Sequence, residues 1–192
     1  RFNNFNIDIA AITNLSHDHL DYHKNFRSYV NSKFQLFTKI LNTKGVAVIN
    51  SRLKNYQTLK KKINQRKIKI ITYGAKDVYF YKDNNLNLYI FGKKFHLKKF
   101  ELINNMQKEN LECAIACSLA MNISIKKIIN CLYKLKSAPG RFESINFRKK
   151  NSKIIIDYAH TPDALENILK TFSQNNFKPS LVFGCGGNRD KE

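Results

Sequence analysis

Two polar clusters with the side chains needed for chemistry follow apolar runs of this chain. In the first, Asp157 and His160 come directly after Ile154–Ile156. Thr161 is a good N-cap residue and Pro162 fits the first position of a helix. Helix N-termini favour anions such as phosphate, and ligands of open α/β sheets bind at the carboxyl ends of strands. The pattern indicates an anion-binding corner with an acid and an imidazole, although an ordinary strand followed by a capped helix accounts for the same residues.

The second cluster follows the apolar run Ile7–Ile12 and holds three of the five histidines of the chain. Its members are His17, Asp18, His19, Asp21 and His23. Imidazole and carboxylate groups both bind metals, but no cysteine is near and the spacing matches no common zinc pattern. A polar loop without a metal fits these residues equally well. Lys33 lies on the helix predicted next, where a lysine ordinarily extends to solvent.

Strands and helices alternate along the sequence and must position these clusters. Hydrophobic spacing predicts strands over 7–13, 45–50, 68–73, 144–149, 153–158 and 180–184, and helices over 26–42, 52–65, 106–121, 125–135 and 162–174. The alternation predicts an α/β fold with a mostly parallel sheet. Short strand-like pieces over residues 77–100 predict a small accessory sheet. The break at Ser137–Gly140 predicts a boundary between two domains, 1–139 and 140–192.

The charge of the chain is the feature that most favours a different class of protein. Lys and Arg number 34 against 14 Asp and Glu, a formal charge of +20, which suits a nucleic-acid-binding module. The basic residues are mostly lysines spread along the chain, and the densest run, Lys60–Lys62, fits a solvated helix face. The abundant Lys, Asn, Ile, Phe and Tyr have AT-rich codons, so drift of base composition is a sufficient cause. We therefore expect no specific nucleic-acid function.

Cysteine usage and hydropathy indicate the compartment. The four cysteines form no C-x-x-C pair, which is typical of a reducing environment. No apolar run approaches the roughly 18 residues that span a membrane, and no signal peptide is apparent. The expectation is a cytoplasmic protein without a membrane partner.

Five motifs, in this order, closely resemble the Mur ligase family: TNLSHDHLDYH, YVNSKFQLF, APGRFESI, IIDYAHTPDALENIL and LVFGCGGNRDKE. Within the family they are most similar to the member that adds the third residue of the peptidoglycan stem peptide. The resemblance implies a partial central, ATP-binding domain followed by the start of a Rossmann-like C-terminal α/β domain. The sequence contains no Gly-x4-Gly-Lys-Ser/Thr phosphate loop. An internal fragment, inactive alone and dependent on the missing parts of the same ligase, is therefore expected.

The resemblance also implies a reaction and a metal. In this family ATP phosphorylates a substrate carboxylate, and an amine then attacks the acyl phosphate to form an amide. The implied substrates are UDP-MurNAc-L-Ala-D-Glu and a diamino acid, diaminopimelate or lysine. Lys33 matches the carbamylated lysine of the family, which with His19 binds Mg²⁺, because a carbamate supplies the hard oxygen ligand that this ion prefers. Arg1 matches a residue that contacts the nucleotide-linked substrate.

On the nucleotide side the resemblance assigns four residues. Arg141 matches the arginine near ATP, and Asp157 matches the acid that binds the ribose hydroxyls. His160 is expected near the transferred phosphate. Asn110 matches the asparagine that faces adenine, but its surroundings depart from the family, which usually has Gly, Phe and Asn where this chain has Asn104, Met106 and Gln107.

A last motif and two alternatives complete the expectations. The turn Gly184–Gly187 is expected to line the same crevice as Arg141, Asp157 and His160. A non-catalytic remnant that keeps the motifs, and a basic nucleic-acid-binding module, are the alternatives to the ligase fragment.

Overall fold

The computed structural model describes residues 6–15, 25–83, 85–97, 105–136, 138–147, 152–173 and 178–184. The chain divides into two compact units, Arg1–Tyr133 and Lys134–Glu192, and each is described by itself. None of the described helices is both long enough and apolar enough to cross a bilayer.

The first unit is built on one six-stranded sheet whose strands lie in chain order. Its strands are β1 (Ile7–Ile12), β2 (Leu41–Asn50), β3 (Lys69–Tyr73), β4 (Val78–Lys82), β5 (Leu86–Ile90) and β6 (Lys93–His96). Strands β1 to β3 are parallel, and β4 to β6 form an antiparallel meander. The predicted α/β class is confirmed.

The region predicted as a separate accessory sheet instead continues the main sheet. Strand β4 joins β3 through the single parallel pair Tyr73 and Val78. The connection is tight because Gly74, at φ +106°, donates its N–H to the Val78 carbonyl at 2.8 Å. This turn aligns the meander with the parallel strands, so no second sheet forms there.

Helices cover both faces of the sheet. The helices α1 (Phe26–Gln35) and α2 (Tyr56–Gln65) pack on one face, and α3 (Asn105–Ala120) and α4 (Ile125–Leu132) on the other. Side chains of β2 alternate between the two cores: Ala47 and Ile49 are buried with α1 and α2, whereas Val48 is buried with α3 and α4. Two buried faces explain why the parallel strands read as continuous apolar runs.

Two predicted helices differ from the observed ones at the ends that flank β2. The helix predicted to reach residue 42 ends at Gln35, and a π-helical turn over Leu36–Ile40 leads into β2, which begins at Leu41 rather than 45. Arg66 on the neighbouring turn binds the Phe37 carbonyl at 2.6 Å and so satisfies a carbonyl of the π-helical turn. The helix predicted from residue 52 begins at Tyr56, because Ser51 donates its N–H to the Tyr73 carbonyl at 2.8 Å and holds the chain in a turn.

The described residues of the second unit form an antiparallel pair and one helix. Strands β7 (Glu143–Phe147) and β8 (Ser152–Ile156) pair with each other, and α5 spans Pro162–Ser173. The prediction of a strand over 180–184 is wrong. These residues form no strand, because no described strand of this unit pairs with them, and Val182 remains 97% exposed.

Candidate nucleotide and metal site

The Asp157 carboxylate organises the turn at the end of β8. Its Oδ2 accepts the N–H of Phe142 at 2.7 Å, and its Oδ1 accepts the N–H of Ala159 at 2.8 Å. A carboxylate oxygen can accept more than one hydrogen bond. Asp157 therefore ties two backbone segments together and keeps acceptor capacity for the hydroxyls of a ligand.

The segment that Asp157 holds has an unusual backbone. Gly140 has φ +64° and Phe142 has φ +52°, a left-handed conformation that is rare for a residue with a side chain. Phe142 is buried, and its ring centroid lies 5.7 Å from that of Phe172 on α5. Glu143 accepts the N–H of Gly140 at 2.8 Å. Packing and four hydrogen bonds hold the strained turn in place, since Tyr158 also donates its N–H to the Gly140 carbonyl and Arg141 donates its N–H to the Ala138 carbonyl.

Arg141 and His160 meet at the exposed side chain of Tyr158. The Arg141 guanidinium carbon lies 5.3 Å from the centre of the Tyr158 ring, and the His160 ring meets the same tyrosine edge-on at 5.2 Å. His160 Nδ1 lies 3.0 Å from the Tyr158 carbonyl. A carbonyl only accepts, so Nδ1 carries the proton in this contact, and Nε2 is the acceptor of the neutral ring.

The start of α5 completes this corner. Thr161 Oγ1 accepts the N–H of Ala164 at 3.4 Å, and the Thr161 carbonyl accepts that of Leu165 at 3.0 Å. The predicted cap is therefore present. Pro162 has no N–H, and Ala164 and Leu165 donate theirs to Thr161, so an anion here would meet the positive end of the helix dipole rather than a row of free donors. Arg141, Asp157 and His160 belong to one cluster at the exit of β8. Gly184 is described, but residues 185–187 of the predicted glycine turn lie outside the described residues.

The predicted metal ligands are described only in part. Lys33 is exposed near the end of α1, where its Nζ lies 5.4 Å from the centre of the Tyr29 ring. Among the described residues none forms an ion pair with Lys33. Within the same ranges no three His, Cys, Asp or Glu side chains lie close enough to hold a metal. His19 and Arg1 lie outside the described residues, so the metal pair and the substrate contact remain predictions.

Asn110 is an exposed residue of α3, in the first unit. Its helix neighbours Glu109 and Glu112 both bind Arg52, which stands just beyond the carboxyl end of β2. Asn110 is thus next to Glu109, in a polar network that joins the first half of α3 to Arg52.

Two further polar residues at strand ends were not predicted from the sequence. Asn50 and Tyr73 are the last residues of β2 and β3, and both are buried. Their side chains bind the backbone where β1 ends. The sequence signal was a polar group closing each apolar run, but in a single sequence such a group cannot be told from a turn residue.

Two family models match the chain. The Mur ligase middle domain matches residues 1–124, and the Mur ligase glutamate ligase domain matches residues 140–192. The UDP-N-acetylmuramoyl-L-alanyl-D-glutamate--2,6-diaminopimelate ligase of Rickettsia bellii (strain RML369-C) is 36% identical over 99% of the chain. The chain spans 41% of the length of that relative.

Solved structures of Mur ligases are also similar to this chain. A structure of a UDP-N-acetylmuramoyl-L-alanyl-D-glutamate--2,6-diaminopimelate ligase matches 98% of the chain and 40% of its own chain, at 32% identity and a TM-score of 0.66. MurF from Acinetobacter baumannii shares the fold at 19% identity, with a TM-score of 0.74 over 87% of this chain and 37% of its own. MurF from Thermotoga maritima, 19% identical with a TM-score of 0.68 over 86% of this chain and 39% of its own, was solved with ADP.

Fold and site together define an α/β protein with polar groups collected where a strand ends and a helix begins. The matches to both domains place it more narrowly: the chain belongs to the Mur ligase family.

Proposed function

We propose that this chain is part of an ATP-dependent ligase that joins diaminopimelate to UDP-MurNAc-L-Ala-D-Glu through an acyl phosphate. The observation that carries the proposal is 36% identity over nearly the whole chain to a ligase whose name states this substrate and amino acid. Lysine is the alternative diamino acid. We assign residues 1–139 to the middle domain and residues 140–192 to the C-terminal domain. We place the protein in the cytoplasm.

The corner at β8 supports the nucleotide roles that we propose. Arg141 offers a permanently charged, planar guanidinium to phosphate, and Asp157 offers acceptor capacity to ribose hydroxyls. We assign His160 to the transferred phosphate, supported by its contact with Tyr158, the residue that Arg141 also contacts. Asn110, exposed on α3, is the proposed adenine contact, and Arg1 the proposed contact to the nucleotide-linked substrate.

The metal role falls to Lys33 and His19. An exposed amine without an ion-pair partner among the described residues is open to carbon dioxide, so Lys33 fits the formation of a carbamate. A carbamate would reverse the charge at this position and supply oxygen to a hard cation. Mg²⁺ is the ion we propose, and it would neutralise phosphate charge during the reaction.

A non-catalytic remnant that keeps the motifs is the rival reading. A chimera separates the two. The 192 residues replace the matching segment of the R. bellii ligase, and formation of amide is measured with ATP, Mg²⁺, UDP-MurNAc-L-Ala-D-Glu and diaminopimelate.

The intact R. bellii ligase is the control for the assay, and circular dichroism checks that the chimera is folded. We expect ATP-dependent turnover that lysine supports less well than diaminopimelate. A folded chimera without turnover would establish the remnant instead.

A further inference from the structure

Two buried side chains bind the backbone at the point where β1 leaves the sheet. Asn50 Nδ2 donates to the Thr13 carbonyl at 2.9 Å. The Tyr73 hydroxyl donates to the Ile12 carbonyl at 3.0 Å and lies 3.5 Å from that of Thr13. Asn50 is 3% exposed and Tyr73 is 1% exposed. Two adjacent strands thus direct polar atoms at the same pair of peptide groups.

These bonds begin where the main-chain ladder stops. The last pair between β1 and β2 is Ile12 with Ile49, and the next residues of the sheet, Asn50 and Tyr73, pair with each other. The pairing of β1 with β2 does not include Thr13. The side chains of Asn50 and Tyr73 therefore bind the backbone one residue beyond the last strand pair of β1.

The Asn50 amide is fixed in its orientation, and the Tyr73 hydroxyl is kept protonated. Asn50 Oδ1 accepts the N–H of Arg52 at 2.9 Å, so the amide cannot flip without losing both of its bonds. Burial raises the pKa of the Tyr73 hydroxyl above its ordinary value, and the nearby Cys113 thiol adds to the effect. The phenol therefore stays protonated and remains a donor throughout the physiological range of pH.

We propose that Asn50 and Tyr73 are positioning residues that hold the Ile12–Thr13 backbone and thereby set where the segment carrying His19 begins. This inference rests on the proposed function, in which His19 and Lys33 bind one metal ion. The position of the backbone before His19 matters only if the two residues share that ion. Neither Asn50 nor Tyr73 is expected to touch substrate.

The first test measures the backbone of the 192-residue chain itself. Backbone ¹⁵N order parameters at Thr13 and Asn14 report on the two bound peptide groups. We expect about 0.85 in the wild type and below about 0.6 in Asn50→Asp, which turns a donor into an acceptor facing a carbonyl. Tyr73→Phe, which removes only the hydroxyl, should give an intermediate value.

Matched controls are Asn146→Asp and Tyr81→Phe, the same changes at exposed positions. They should leave residues 13 and 14 as in the wild type. Wild-type order parameters in both Asn50→Asp and Tyr73→Phe would overturn the proposal, as would an equal loss of order throughout the sheet.

The second test uses the chimera, in which the same substitutions should raise the Mg²⁺ concentration for half-maximal activity at least about fivefold. This corresponds to one net hydrogen bond of about 1 kcal/mol. The KM for ATP should change less than twofold, a split that general destabilisation would not produce. Unchanged Mg²⁺ dependence would overturn the proposal. An inactive wild-type chimera would instead refute the proposed function, and the order parameters would then decide whether the two residues hold the backbone.

Discussion

Asp157 has a structural role in addition to the ribose contact that we propose for it. Both carboxylate oxygens accept backbone N–H groups, from Phe142 and Ala159, so the side chain is needed to close the turn that presents Arg141. Replacing Asp157 would disturb the turn and any ribose contact at once. Lys33 allows a cleaner test, because its one described contact is the ring of Tyr29.

Lys33→Ala in the chimera is expected to abolish turnover and leave stability nearly unchanged. An exposed cation–π contact contributes only about 0.5–1 kcal/mol, so lost activity would not reflect unfolding. Short-chain carboxylates such as formate and acetate should restore part of the rate by supplying the missing oxygens.

Lys33→Arg should not be rescued, because the guanidinium keeps its bulk and its charge. Lys39→Ala, at an exposed lysine a few residues further on, is the matched control and should retain wild-type turnover. Full activity of the Lys33→Ala chimera would rule out the carbamate.

At the scale of elements, Glu112 joins α3 to two parts of the sheet. Its side chain is fully buried, and Oε1 accepts the N–H of Phe80 on β4 at 2.8 Å. Its Oε2 binds Arg52 at 2.8 Å, and Arg52 also reaches the Gly74 carbonyl. One carboxylate therefore fixes the junction between the parallel strands and the meander.

Glu112→Gln should destabilise the chain by about 2–4 kcal/mol, because the amide would turn a donor toward either Arg52 or the Phe80 N–H. Glu109→Gln, on the same helix and against the same arginine, is the matched control. Glu109 is 40% exposed and lies 3.5 Å from Arg52, so its loss should cost less than about 1 kcal/mol. Urea unfolding curves measure the free energy of unfolding of both variants. Equal losses of stability would contradict the role of Glu112 at this junction.

The β4–β5 turn predicts a dependence on pH. The N–H of Asn85 binds the Asp83 carboxylate at 2.9 Å and, with Lys94 and Asn87, holds the pKa of Asp83 below its ordinary value. A lowered folded-state pKa contributes stability above the ordinary pKa, and this stability is lost as the pH falls through the folded-state value. NMR titration of Asp83 should give a midpoint below that of a peptide spanning residues 80–90.

The backbone bond and the lysine can be separated with salt. In 1 M salt the contribution of Lys94 is screened, whereas the hydrogen bond from Asn85 persists. The midpoint should therefore rise slightly and still remain below that of the peptide. A midpoint equal to the peptide's at both salt concentrations would contradict the turn geometry.

These elements also show what the sequence could and could not predict. The core strands and helices were found because their burial leaves a local periodicity, as in Ile7–Ile12 and Ile125–Leu132. The corner at Asp157 was found because a strand end and a helix cap are adjacent in the chain. The bond of Arg52 to Glu112 joins residues 60 positions apart and leaves no local pattern. Residues 180–184 have the apolar pattern of a strand. A strand also needs a second strand to pair with, and a single sequence does not show whether one lies beside it.

At the scale of the whole molecule, positive charge and exposed apolar side chains mark the surface. The formal charge of +20 is spread along the chain, as on Lys60–Lys62 of the amphipathic α2, whose apolar side is buried at Leu59 and Ile63. In the second unit Leu181, Val182 and Phe183 are all more than half exposed.

The 192-residue chain alone should show no ATP-dependent amide formation. Phosphoryl transfer depends on clamping the phosphates in place, and these residues contain no Gly-x4-Gly-Lys-Ser/Thr loop to do so. Arg141 and the start of α5 can attract phosphate but supply only one side of such a clamp. The purified chain, assayed with ATP, Mg²⁺, UDP-MurNAc-L-Ala-D-Glu and diaminopimelate, should match the no-enzyme control, while the chimera under the same conditions turns over. Turnover by the chain alone would mean that its own residues hold the phosphates, and the ligase would have to be reassigned to a site within these 192 residues.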